Sequence, residues 1–537
     1  MKPSVLFLLL AVPVLYGAAF LGLRPSLNND AGMGFTVLQS MRDGAPFNVL
    51  VEPDSADIAK DAASFVAAWS PSQYALPALF QLIGLDLGQA IVLTVVFCAG
   101  IGIVGWYGLY RAMEFSPAVA LLSCLLLELF QPFLFPFEEY NGGEIVMFAA
   151  APWSALLVWS ARDAGWVHRF LAVLTALALA TAAKLSGLIF VSALLAGLAA
   201  YHGWRAFDPS ASSGRRPAPL HALRALTLAT MPSAVAWLLF VVAFRVFWTS
   251  RGWTAVDQPL HPPFALSNIY FPVVATVLSS SGFGAAMGAV SALPASFAKL
   301  LGEQAVAYAI ALPFCALWLG MLVQRLRAPL GGTLWFMLAA CAAYVACFMV
   351  LYHIGVAIYF DDRFYRPASL ILLPGLVATL AATSSRPIRY LGGAFILAMA
   401  CYGVAAGAWH IVSVERRPVG MVGVRQPIAS PGLLTHLHMR FGSTGERRAD
   451  RVVYLPSPEM TLEVRGVRTI STFADHDRIE TLRDRKYLGR VGELVIVLPA
   501  TFLANGKADA ILRSFRDYAP DRWKRTLIDD RFVEFSQ

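Results

Sequence analysis

"SVLFLLLAVPVLYGAAFLGLRPSLNND", residues 4–30, decides what kind of molecule this is. Residues 4–23 are predominantly apolar, and about 20 such residues cross the hydrocarbon core of a bilayer as a helix. No convincing small-residue cleavage site precedes Asp30, so the run reads as a retained anchor rather than a removed signal. A carboxylate, Asp30, then stands within a few residues of the point where the chain leaves the membrane. The sequence from there to residue 48 is polar and rich in Asn and Gly, and it reads as a non-helical loop.

Apolar runs of this kind recur. Candidate spans are 4–23, 88–110, 117–136, 145–160, 170–183, 185–201, 225–247, 302–323, 330–352, 368–383 and 390–410. The stretch 170–201 is too long for one helix, and Lys184 interrupts it, so two short helices are expected to meet at that lysine. Of the 537 residues 58% are hydrophobic and 14% charged, with a mean hydropathy of +0.61. Soluble domains carry about 25% charged residues, so the expected fold class is a polytopic α-helical membrane protein of about eleven transmembrane helices. All six cysteines lie inside apolar runs and none form a CxxC pair, which predicts neither a disulfide framework nor a cysteine-built zinc site.

The loops alternate in character. One set carries Arg111; Arg162, His168 and Arg169; Arg205, Arg215, Arg216 and Arg224; Arg325 and Arg327; and Arg386 and Arg389. By the positive-inside rule these are cytoplasmic, and they account for much of the net charge of +8 without invoking nucleic acid. The other set, 24–87, 137–144, 248–301, 353–367 and everything after 411, is long or acidic and aromatic, and should face outward. Residues 267–297 are apolar but rich in Gly, Ser and Pro, and read as interfacial or re-entrant.

Two domains follow from this: a membrane domain, 1–410, and an outward domain, 411–537. Half of all Lys and Arg and nearly half of the acids lie beyond residue 412. "RVVYLP" (451–456) and "GELVIVLP" (492–499) read as buried strands, "KADAILRSFRDYAP" (507–520) as an amphipathic helix and "RFVEFSQ" (531–537) as a last strand, together a small α/β fold. The stretch 208–220 is a linker-like cytoplasmic loop.

Chemistry has few places to reside. Asp30, held at the membrane surface, has the position of a general base for a substrate hydroxyl, whereas Asp54, Asp57 and Asp61 read as solvated. Glu138, Glu139 and Glu144 crowd one short connection, where they are candidates for positioning an acceptor or binding a divalent cation. Lys184, at an outward helix turn, offers a point charge to a lipid phosphate. Arg363 and Arg366 open a late span and make a phosphate clamp unless Asp361 and Asp362 simply pair with them. His436 and His438 lack a third ligand in sequence and read as ordinary surface histidines.

In order and sidedness the motifs resemble one superfamily. They are an acid after the first span, "G-x-P-F" (Gly44 to Phe47), "W-S-P…Y-x-L-P" (Trp69 to Pro77), an acidic second outer loop, "K-x-x-G" (Lys184 to Gly187) and "R-[FY]-x-R-P" (Arg363 to Pro367). The chain resembles the GT-C integral-membrane glycosyltransferases, in particular the bacterial protein-mannosyltransferase and aminoarabinose-transferase branch. That resemblance covers the span layout of 1–410, and the tail only in kind. It implies a multi-pass protein of the bacterial inner membrane, with active site and C-terminal domain in the periplasm. It also implies transfer of a sugar, with inversion, from a polyprenyl-phosphate donor to a lipid, polysaccharide or protein acceptor. On these matches Asp30 is the base, and Lys184, Arg363 and, less closely, Arg366 bind the donor phosphate. A second carboxylate is expected among Glu138, Glu139 and Glu144, and Trp69, Tyr74, Tyr140 and Tyr365 are expected to line the substrate site. Where many protein-mannosyltransferases have Asp-Glu this chain has a single acid, "NND", which disfavours a protein acceptor. A transporter or flippase of lipid or glycan predicts internal symmetry and charges deep inside spans; the sequence has no repeat, and Glu128 and Arg245 lie near span ends. A non-catalytic subunit with a transferase-like fold is the third reading.

Overall fold

The computed structural model describes residues 2–207, 219–253, 265, 267–280, 331–356, 358, 360–442 and 448–537. Up to residue 415 its described helices in chain order are α1 (Pro3–Leu23), α2 (Asn29–Arg42), α3 (Ser72–Gln81), α4 (Leu87–Ala112), α5 (Pro117–Leu129), α6 (Gln131–Glu138), α7 (Gly143–Ser160), α8 (Trp166–Ala183) and α9 (Ser186–Phe207). Then come α10 (Pro219–Phe247), α11 (Ser267–Ser279), α12 (Gly332–His353), α13 (Arg366–Ala382) and α14 (Arg386–Glu415). Among the described residues eight helices are long and apolar enough to span a bilayer, or nine if α5 and α6 count as one broken span. The expected span 117–136 is that pair, bent by 45°. Phe130 is extended, and Pro132 at the start of α6 removes a backbone donor the helix would need to continue. The expected span 368–383 is α13, only 17 residues long. The candidate span 302–323 lies outside the described residues, as do the linker-like segment apart from its end and the part of 267–297 beyond Ser280.

The segment after Asp30 is helical, against the expectation of a loop. Asn28 is extended and its Oδ1 accepts from the Ala31 N–H at 3.0 Å, a cap that starts α2 with Asp30 in the first turn. Two short parallel bridges, Ser26 with Glu139 and Leu27 with Tyr140, tie the approach to α2 to the connection before α7. The break at Lys184 falls where the sequence places it, between α8 and α9, with the lysine in extended conformation.

The segments around 24–87, 137–144 and 353–367 gather at one end of the bundle together with the C-terminal region. That region holds a five-stranded sheet. Strand β6 (Arg448–Leu455) runs parallel to β7 (Val467–Ser471) and β8 (Glu493–Pro499), and β10 (Phe532–Ser536) runs antiparallel to β8 and to β9 (Lys524–Leu527). The expected helix 507–520 stops at Ser514, because Phe515 and Arg516 turn to bridge Tyr487. The first loop also forms an antiparallel hairpin, β2 (Val49–Asp54) and β3 (Asp57–Val66), unforeseen in the sequence. Ile58 N–H donates to the Leu488 carbonyl at 2.8 Å and Leu488 N–H to the Ser55 carbonyl at 2.9 Å, docking the hairpin on the C-terminal sheet. Asp61, expected to be solvated, instead accepts from the buried Arg468 at 2.7 Å.

Candidate active site

Four elements bring charge to one point. Asp30 sits in the first turn of α2 and Glu144 in the first turn of α7, where the exposed N–H groups of a helix start favour a carboxylate. Lys184 caps the C-terminus of α8, and its Nζ lies 2.5 Å from Glu144 Oε1. Arg363, on the 3₁₀ turn Asp362–Phe364 ahead of α13, places Nη1 3.6 Å from Glu144 Oε1 and 3.7 Å from Asp30 Oδ2. The Phe364 ring lies 4.9 Å from Lys184 Nζ and 5.1 Å from Arg363 Cζ, holding both cations at its face.

The lysine turn is built by its neighbours. A Cβ at Gly187 would come within 2.0 Å of the Ala180 carbonyl oxygen, so only glycine lets α9 start that close to α8. Ser70 Oγ donates to the Thr181 carbonyl at 2.8 Å and Ser72 Oγ to the Ala183 carbonyl at 3.0 Å, which staples "WSPS" to the last turn before Lys184.

Beside these charges opens a cavity with one polar end and an apolar wall. Glu144, Lys184, Arg363 and Arg366 line its polar end, and Trp106, Phe130, Phe133, Phe148 and Leu370 are part of its apolar wall. Arg366 also pairs with Asp362 at 3.3 Å, and Arg363 Nε with Asp361 at 3.0 Å, so the aspartates of "DDRFYRP" are structural partners of the arginines.

Electrostatically the site is close to balanced. Burial raises the Asp30 carboxyl above the ordinary carboxylate range, and Glu144 adds to this, against the lowering effect of Arg363, Lys184 and His476. Burial works against the Arg363 charge, but Glu144, Asp361, Asp30 and Asp362 outweigh it and hold the guanidinium above its usual value.

The remaining sequence candidates lie elsewhere. Glu138 is buried and faces His410 Nδ1 at 3.5 Å, and Glu139 pairs with Arg417 at 3.5 Å. The three loop acids thus do not share one donor set, and among the described residues no three His, Cys, Asp or Glu side chains converge as metal ligands. The divalent-cation option does not fit them. Tyr74, Tyr140 and Tyr365 are buried, and none lines the cavity. Their hydroxyls donate to Asn48 Oδ1, the Gln73 carbonyl and the Tyr352 hydroxyl, so the tyrosines brace the frame, against the expectation that they line the site. Trp69 is half-buried against the core and is likewise absent from the cavity wall.

Sequence reasoning overlooked Phe364, which lay inside the quoted motif, and a group from the C-terminal sheet beside α2. Asn29 contacts Asp475, Glu459 and His476 there, more than 400 residues away in sequence, so no local pattern could have linked them.

No family model matches the sequence, and no curated protein matches it. Solved structures do. ArnT from Cupriavidus metallidurans bound to undecaprenyl phosphate superposes with a TM-score of 0.52 at 13% identity, covering 100% of this chain and 98% of that one. The same protein in the apo state gives 0.51 at 13%, covering 98% and 97%. The Archaeoglobus fulgidus oligosaccharyltransferase in complex with zinc and sulfate gives 0.50 at 12%, covering 95% of this chain and 70% of that one. At such identities the likeness is one of fold.

Proposed function

We propose that this chain, a multi-pass membrane protein with the fold of the GT-C glycosyltransferases, transfers a sugar from a polyprenyl-phosphate donor to a hydroxyl acceptor. One observation carries the reading: Arg363 and Lys184 meet at Glu144 at the polar end of an apolar cavity, and Arg363 also reaches Asp30, which stands just outside that lining, at 3.7 Å. Undecaprenyl phosphate on the C. metallidurans protein is a ligand of the chemistry such a cavity fits.

The acceptor oxygen attacks the anomeric carbon as its proton passes to Asp30. The bond between that carbon and the phosphate oxygen breaks, and its electron pair leaves with the polyprenyl phosphate. Lys184 and Arg363 stabilise the charge that develops on the phosphate, in a site where burial strengthens the interaction. A single displacement of this kind inverts the configuration of the carbon. The apolar wall takes the isoprenoid, at about 0.8 kcal/mol for each buried methylene. By the positive-inside reading this happens at the outer face of a bacterial inner membrane, with the C-terminal sheet in the periplasm.

The test is transfer by the purified protein from undecaprenyl-phosphate sugars, wild type beside Asp30→Asn. The expected result is a loss of about 10²–10⁴ in kcat with undecaprenyl-phosphate binding retained. Equal turnover by the two proteins removes Asp30 as base. No turnover of any lipid-linked sugar by wild type removes transfer itself and favours transport of the lipid.

A further inference from the structure

The cavity that holds Lys184 and Arg363 takes no side chain from the C-terminal sheet. The sheet meets α2 instead. A Cβ at Gly32 would come within 2.7 Å of the Glu459 backbone nitrogen, so glycine lets α2 lie directly on the turn Pro458–Glu463. Thr36 and Thr461 exchange a hydrogen bond at 2.9 Å one turn further on. Asn29, next to Asp30, points its amide at the same region. With its nitrogen toward Asp475 Oδ2 it makes one contact of 3.4 Å. Turned over, the nitrogen donates to Glu459 Oε2 at 3.0 Å and the oxygen accepts from His476 Nε2 at 3.0 Å, which satisfies both ends.

Asp475 and His476 form a pair, Oδ2 to Nε2, at 3.3 Å. Their loop is held from behind. Lys507 Nζ donates to the Ala474 and Asp475 carbonyls at 2.9 and 3.0 Å, and Arg485 pairs with Asp477 at 2.8 Å. The His476 side chain is 69% exposed and reaches open space, while Asp475 Oδ1 is buried with no partner among the described residues.

We infer that the Asp475–His476 pair, delivered by the C-terminal sheet to the start of α2, binds the acceptor of the transfer, and that this acceptor presents a saccharide head. The inference rests on the transfer reading above. Asp30 needs one hydroxyl. A carboxylate and an imidazole side by side offer a hydrogen-bond acceptor and a donor, the pattern that adjacent hydroxyls on one ring satisfy, while the Asn29 amide holds His476 in place. An acyl chain offers nothing to these groups.

The test uses the full-length protein, radiolabelled undecaprenyl-phosphate glucose, mannose and galactose as donors, and methyl glycosides or a Ser/Thr peptide as acceptor probes. His476→Ala and Asp475→Asn are compared with wild type, and melting temperatures check the fold. Each variant should raise the KM for the methyl glycoside about tenfold, the loss expected for one good hydrogen bond, while the donor KM and acceptor-free hydrolysis of the donor stay within about twofold. An unchanged acceptor KM overturns the inference, as does a donor KM that rises instead, or a wild type that transfers to the peptide or to water alone. If Asp30→Asn abolishes turnover while both sheet variants keep the acceptor KM, only this inference falls. If wild type turns over no lipid-linked sugar, the transfer reading falls with it.

Discussion

Arg363 is the residue on which the charge layout turns, since it touches Asp30, Glu144 and Asp361 together. Its loss leaves burial and Glu144 to act on Asp30 with less opposition, and a carboxyl deprived of a neighbouring cation titrates higher. The base form is lost as pH falls, so Arg363→Gln should shift the acid limb of the kcat/KM profile to higher pH. It should also weaken undecaprenyl-phosphate binding; a limb that stays in place would detach Arg363 from Asp30. Asn29 supplies a second prediction. Aspartate there would set a third carboxylate against Glu459 and Asp475, and Asn29→Asp should destabilise the protein by about 1–3 kcal/mol, read from thermal unfolding. At this scale residue type and membrane position left few options, which singled out Asp30, Lys184 and Arg363, and the fold brings the three together round Glu144. It misled for Tyr74, Tyr140 and Tyr365, because a tyrosine beside a motif serves as readily for buried bracing as for lining, and only the path of the backbone separates the two.

Elements explain the next group of outcomes. Hydrophobic length located the helices, and a lone lysine located the break between α8 and α9. The start of α2 escaped because its signal is one asparagine cap in an otherwise polar stretch. Glu138 and Glu139 part company because the chain turns extended at Glu139, where successive side chains point to opposite faces, while Glu144 rides on the next helix. The lysine turn is testable as an element. Gly187→Val forces α9 off the Ala180 carbonyl and should cost at least about tenfold in transfer. Ser72→Ala, which removes one hydrogen bond to the same turn, should cost less, about 0.5–1.5 kcal/mol in stability. Equal transfer by the glycine variant and wild type would mean that the turn does not set the position of Lys184.

For the whole molecule, the joining of loop hairpin to C-terminal sheet was beyond sequence reasoning, since β2, β3 and the sheet pair across about 400 positions with only ordinary strand patterning to show for it. The contact of α2 with the turn Pro458–Glu463 also carries a pH signature. Burial pushes Glu459 up to about 7, whereas in the unfolded chain a glutamate titrates at about 4.3. The folded state therefore binds the extra proton between these values, so stability falls as pH rises from about 5 to about 7 and levels off above. Melting temperatures across that window should decline for wild type, and less steeply for Glu459→Gln; parallel curves would show that the carboxyl is not the cause.

The contact of Lys184 with Glu144 reaches further than its role in position. The three cations that line the cavity, Lys184, Arg363 and Arg366, are each answered by carboxylates of the chain itself, so the mouth of the site has little net attraction for a passing anion. A free phosphate ion would have to break those pairs with its charge alone. A phosphate that arrives on an isoprenoid brings the burial of its tail as well, and only the sum is favourable. On the transfer proposed above, the pairing would act as a coincidence filter, screening water-soluble phosphates from those anchored in the bilayer before any chemistry begins.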